Sequence, residues 1–464
     1  MTQPARQFPQ SERVVSSSAL AGMAACIADV RRALADGDRG PADPTNFNSL
    51  RSRLTVLRET LAPIYRESFY DRYVAVLNGL GPAGFQDVLL NSPGAAELMM
   101  DAAHAILQNG EKYEAAALDA FQEVVSDLYD GFLSAEDRAA VKPPDLGIVP
   151  PLVKFGNPEY GPYTWPIEAT SSFSLTEDGG LGAAIVSLPP ANARMGLLAW
   201  AALGHETGGH DILSADIGLK SELIAVVRKA LEDAGLPALA GYWSSRIDET
   251  ASDVLGILNM GPAAAIGLIV FFRGFGQDSR LRVNGPSSDP HPADILRGYL
   301  AAATVRALSF SEADSWAELL LAETNSDLAG RAIVVEDEPI SVEDALRSAE
   351  VVARAIASTP LASLEGTALI QIQDWRDSDE EIVDGVRTTL ISCKPTPSEW
   401  APGVYAAHVV AAAVTAALSG QAEVGSAFQR MVAILKSMHD ANPSFGPLFI
   451  AHPGDVKRHL AYVA

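Results

Sequence analysis

The chain has 464 residues, 48% of them hydrophobic, which supplies apolar material for large cores and excludes a disordered or collagen-like class. Its 34 basic residues face 58 acidic ones, a formal net charge of −24. An acidic surface repels phosphate backbones, so nucleic acid is excluded as an expected partner.

Abundant alanine with only 7% aromatics points to closely packed helices and a mainly α (α+β) fold. Two cysteines, Cys26 and Cys393, lie too far apart to form a disulfide framework or a thiolate metal motif, which fits a reducing compartment. The polar N-terminus, Met1 to Ser18, does not read as a secretory signal. The longest apolar stretches, 261–272 and 404–418, fall short of the roughly 20 residues a membrane span needs. The expectation is a cytoplasmic protein with no membrane span.

In chain order, apolar residues recur at helical spacing in 50–61, 66–80 and 113–132, with breaks at 37–44, 81–84 and 91–94. His104 sits among alanines and reads as a structural histidine. The proline- and glycine-rich stretch 142–166 is the expected boundary, dividing the chain into 1–141, 142–303 and 304–464. Residues 171–175 and 182–188 read as an antiparallel hairpin turning at Asp178-Gly179. An apolar helix over 193–204 then leads into His205-Glu206-Thr207-Gly208-Gly209-His210-Asp211. A helix over 242–258 carries Glu249 and Asp253, and the segment 287–303 begins SSDPHPADILRGYL. Helices follow at 342–358, capped by Ser341 with Asp344, and at 405–418, with short strands expected at 368–372 and 388–393.

The chemistry concentrates in the middle segment. Zinc takes nitrogen and oxygen donors at about 2.0–2.2 Å, and a catalytic site keeps one position for water. In the usual H-E-x-x-H pattern the histidines share one helix face. Here His205 and His210 are five apart, about 140° around a regular helix. Gly208 and Gly209 can absorb the extra residue as a π-type bulge; a helix ending at Gly208, with His210 in its C-terminal cap, is the plainer alternative. Glu249 and Asp253 share a face of an apolar helix, so Glu249 can reach the metal while Asp253 holds the outer N–H of a ligand histidine. Asp248 reads as the exposed acid.

These residues resemble the glutamate-liganded zinc metallopeptidases, the gluzincins. The His205–His210 spacing is similar to that of the dipeptidyl peptidase III family. The Glu249–Asp253 segment is similar to the E-x-x-x-D motif seen across gluzincins. His291-Pro292 with Arg297 resembles a segment of the CAAX prenyl protease and HtpX-like families, whose membrane-spanning helices have no counterpart here. The resemblance covers about residues 171–303.

It implies a zincin-like catalytic core, Zn²⁺ held by His205, His210 and Glu249, and a peptide or protein substrate. Glu206 would be the general base and His291 the stabiliser of the oxyanion. Arg297 would orient His291 or meet a substrate carboxylate, and the hairpin ending at Leu188 would be the edge strand that pairs with substrate. Tyr242 or Tyr299 could supply a further donor. His104, His408, His439, His452 and His459 carry no comparable spacing. Two other readings compete: a non-haem iron enzyme using the same two histidines and carboxylate, and a non-catalytic binding or scaffold protein with a structural metal site.

Overall fold

The structure, a computed structural model, describes residues 17–133, 138, 141–146, 149–173, 180–276, 278–392 and 403–441. It is 69% helix and 5% strand, the mainly α architecture that the composition implies.

Two Gly-Pro pairs bend helices that would otherwise run straight. Gly81 (φ 61°) and Gly261 (φ 61°) sit in the left-handed region that a side chain disfavours, and Pro82 and Pro262 restart the helix from its first turn. The bend at Gly261 folds Phe272 back toward Arg297, whose guanidinium lies 4.6 Å from the centre of the phenyl ring. Trp375 packs on Gly261 so closely that an added Cβ would lie 2.5 Å from its ring. By length and composition the 29-residue Ile247–Phe275 helix could cross a membrane. However, 83% of its most apolar window is buried in the protein, and Gly261 divides it.

One apolar core runs from Leu20 to Met438 and draws on all three sequence segments. A second gathers residues from Phe47 to Leu107 with Val149, Leu152, Phe173, Leu181, Ala183 and Ile185. A three-stranded sheet lies between them. Strand β1 (Leu152–Phe155) pairs in parallel with β3 (Ile185–Leu188), and β2 (Tyr163–Trp165) pairs antiparallel on the other side of β3. Alternation along the strands explains the position. Leu152 and Ile185 point into the second core, while Val153, Phe155, Val186 and Leu188 point into the first.

This corrects the expected hairpin. Ser171 ends a short helix, Ile167–Ser171, and the Asp178-Gly179 turn lies outside the described residues. Both partners of β3 come from the proline-rich stretch, in runs too short to show alternation. Because β3 is paired on both sides, it is not an edge; β2 is the edge strand beside the site.

A second sheet joins β4 (Asn284–Gly285), β5 (Ile333–Val335) and β6 (Glu338–Ile340). The β5–β6 turn puts Glu336 (φ 50°) and Asp337 (φ 69°) in the left-handed region, as a two-residue hairpin requires.

Neither late strand forms. Leu369–Ile372 is a helical turn, and 388–391 end the Asp377–Ile391 helix, which buries Val383, Val386 and Leu390 at helical spacing. The helix expected over 242–258 breaks at Arg246 into Pro237–Ser245 and Ile247–Phe275. The Val342–Ser358 helix forms as expected, with Ser341 Oγ accepting from Asp344 N at 2.9 Å.

Cys26 is fully buried, and burial together with the nearby Asp29 carboxylate pushes its thiol up to about 12. Thiolate is the reactive form, so iodoacetamide at pH 8 is expected to leave Cys26 unmodified in the native protein and to alkylate it after unfolding. Peptide mass mapping reads this out. Native labelling would show that the Met23–Leu34 helix opens to solvent.

Candidate metal centre

The site begins with a change of helical pitch. The helix expected over 193–204 runs as two short pieces, Leu197–Ala201 and Leu203–His205; Glu206–Asp211 form a π-helical turn, and Ile212–Ala215 return to α. Bonding from i to i+5 brings a residue five positions on back to the same face. His210 therefore sits beside His205, with ring centroids 4.7 Å apart.

The diglycine serves this in a second way. Neither Gly208 nor Gly209 has a positive φ, so backbone freedom is not what selects glycine. A Cβ on Gly209 would lie 2.4 Å from the Cβ of Ser252, and one on Gly208 would lie 3.1 Å from Asn259 Nδ2. One turn away, a Cβ on Gly256 would lie 2.9 Å from the backbone at Gly204 and His205. Glycines let the two site helices touch backbone to backbone, which brings Glu249 within reach of both imidazoles.

His205 Nε2 lies 3.4 Å from Glu249 Oε2, and His210 Nε2 lies 3.6 Å from Glu249 Oε1. One donor atom from each of the three lies within 4.8 Å of the others. Tetrahedral donors around zinc at about 2.1 Å are about 3.4 Å apart, so the carboxylate–imidazole separations suit such an ion. Among the described residues this is the one group of three or more His, Cys, Asp or Glu spaced to hold a metal.

Behind the donors lies a buried charge pair. Asp253 Oδ1 accepts the Nδ1–H of His205 at 2.8 Å, which leaves Nε2 facing Glu249. Arg297 donates from Nε and Nη2 to the two Asp253 oxygens, each at 2.7 Å. Burial alone would lower the His205 pKa, but its bonds and charge attraction to Asp253 and Glu249 outweigh that and raise it to about 10. Burial would raise the Glu249 carboxyl, but His205, Arg297 and His210 hold it well below the usual carboxylate range.

His291 stands at the mouth, 49% exposed, with Nε2 3.4 Å from Glu249 Oε1 and Nδ1 3.0 Å from Asp289 Oδ1. Asp289, not Arg297, orients its ring; Arg297 is nearly buried and its two-bond fork is committed to Asp253. Neither Tyr242 nor Tyr299, the tyrosines considered as further donors, is among the residues that line the cleft around these groups. Tyr242 Oη accepts from Ala293 N at 2.8 Å, which fixes the His-Pro loop, and Tyr299 Oη donates to Asn325 at 2.8 Å. Asp248, half-exposed, pairs with Lys220 at 2.8 Å and lies 3.8 Å from His210 Nδ1.

His205, Glu206, Glu249, His291 and Arg297 line one cleft of about 650 Å³. Leu268, Phe271, Phe272 and Phe275, at helical spacing, form its apolar wall. Thr164 on β2, which sequence reasoning missed, donates to Glu206 Oε2 at 2.8 Å. Pro162, two residues before it, lines the cleft.

Comparison with protein-family models, curated proteins and solved structures finds no match for this chain, so the reading of the site rests on its own geometry.

Proposed function

We propose that this protein is a zinc-dependent hydrolase of the gluzincin type that cleaves peptide bonds in a peptide or protein substrate. The observation that carries the reading is the convergence of His205, His210 and Glu249, with one donor atom from each within 4.8 Å of the others, beside a cleft also lined by Glu206. Zinc, when bound there, supplies a Lewis acid that activates water and polarises a carbonyl. Glu206 accepts the proton of the attacking water and returns it to the leaving amine. His291, oriented by Asp289, donates from Nε2 to the developing oxyanion. Asp253 holds His205 in the tautomer that presents Nε2, and Arg297 keeps Asp253 charged and in place. The apolar wall suits a short peptide segment with an apolar side chain. A glutamate directly after His205 favours hydrolysis over the iron alternative, which has no use for a base there.

Glu206→Gln is the test. The variant is expected to keep its metal and to lose about 10²–10⁴-fold in turnover of a quenched-fluorescent peptide library. Unchanged turnover would refute the base. Iron with oxygen consumption, in protein purified without added metal, would overturn zinc. A metal-loaded wild type that turns over no peptide would favour the structural-site reading.

A further inference from the structure

A buried charge cluster lies outside the metal site, on the far side of β2. Asp101, 2% exposed on the Pro93–Glu111 helix, accepts from Tyr163 Oη at 2.6 Å and from Trp165 Nε1 at 2.8 Å. The ammonium of Lys154 on β1, also buried, pairs with it at 2.8 Å. Burying an ion pair is expensive in desolvation and contributes little net stability, so such a cluster is better understood as fixing a geometry.

The geometry it fixes is that of Thr164. Tyr163 and Trp165 flank Thr164, and strand alternation puts their side chains on the opposite face. Anchoring both to Asp101 therefore aims the Thr164 hydroxyl the other way, toward the π-helical turn. There Thr164 Oγ1 lies 2.8 Å from Glu206 Oε2 and 3.2 Å from the Glu206 carbonyl oxygen. Three residues on, Ile167 N donates to Asp211 Oδ1 at 3.0 Å. The segment is thus tied to the first and the last residue of the turn.

We infer that Thr164, held in register by Asp101, is a positioning residue for Glu206: it fixes one carboxylate oxygen and leaves the other for the proton of water. This rests on Glu206 being the base. Valine suits a strand as well as threonine does, so what threonine adds at this position is the hydroxyl that meets Glu206. A base that swings loses rate steeply, since a misplacement of about 1 Å can cost on the order of 10²-fold.

The experiment has two readouts. With the quenched-fluorescent peptide library, Thr164→Val is expected to lower kcat by about 10- to 100-fold with KM and metal content unchanged. Thr164→Ser, which retains the hydroxyl, recovers most of that loss. The second readout is a thermal-unfolding cycle on metal-free protein, pairing Thr164→Val with Glu206→Ala. Glu206→Ala removes the carboxylate but keeps the carbonyl that Thr164 also approaches, so the cycle isolates the side-chain contact.

The midpoint loss from Thr164→Val is expected to shrink by at least half when residue 206 is alanine; full additivity would overturn the inference. Should Glu206→Gln retain turnover while the cycle still couples, Glu206 is not the base, and the inference fails through the reading on which it rests. Should Glu206→Gln be inactive and the cycle additive, the base stands and the role of Thr164 is withdrawn.

Discussion

Replacing Glu249 with alanine is expected to strip the site of its metal and leave the fold in place. Four basic groups gather round this one carboxylate: His205 and His291 at 3.4 Å, His210 at 3.6 Å and Arg297 at 3.7 Å. Without it, two imidazoles remain as donors. If roughly 10–16 kcal/mol of zinc binding is shared over about four donors, each supplies about 3 kcal/mol, so affinity falls by at least about a hundredfold. The helix has no reason to unfold, because its anchors Ala251, Val254 and Leu255 are untouched and alanine is a strong helix former.

Elemental analysis after dialysis is expected to find wild-type protein near one zinc per chain and the variant nearly metal-free, with matching circular dichroism. Added zinc raises the unfolding midpoint of the wild type but not of the variant, since only a bound ligand stabilises the native state. Normal zinc content in Glu249→Ala would place the third donor elsewhere.

The parts of this site legible in the sequence are those where residue type alone constrains chemistry. Two histidines five apart, separated by a diglycine and answered by Glu249 and Asp253, mark the candidate metal group because few other arrangements use such residues. Even there the reason for the glycines was half visible. The spacing allowed a π-type turn or a helix ending at Gly208, and the π turn is what forms; the contact of Gly209 with Ser252 joins residues 43 positions apart and leaves no local trace. Ser341 was legible for the opposite reason: a cap is bonded three residues away. Thr164 had no signal, being one threonine in a three-residue strand between prolines, with its partner 42 residues on. The same shortness hid β1 and β2. The late segments, conversely, looked strand-like as short apolar runs, and tertiary burial of one helical face, Val383, Val386 and Leu390, made the second of them the end of a helix.

Arg297 shows how spacing can suggest the wrong partner, and its replacement by methionine is expected to have the largest effect on stability. Six residues after His291, it invites a pairing with that histidine. Instead, the Asp294–Ala307 helix carries its guanidinium inward, where it meets Asp253 in a two-bond fork at 2.7 Å and lies over Phe272. Both charges are nearly inaccessible to water, with side-chain exposures of 4% and 0%. Methionine fills comparable apolar volume but leaves the Asp253 carboxylate buried with His205 as its main partner. Breaking one side of a buried pair costs about 3–5 kcal/mol, which urea denaturation of metal-free protein would register.

The metal would register it as well. Asp253 released from its fork no longer fixes the His205 ring, and loss of such outer support typically weakens metal binding by about 10–100-fold. Arg297→Lys separates charge from shape: it keeps the cation but not the planar fork, so it should recover part of the stability and less of the zinc affinity. Wild-type stability together with wild-type zinc affinity in Arg297→Met would mean that Asp253 is held by something other than this arginine. The support behind His205 would then have to be sought among the groups lining the cleft.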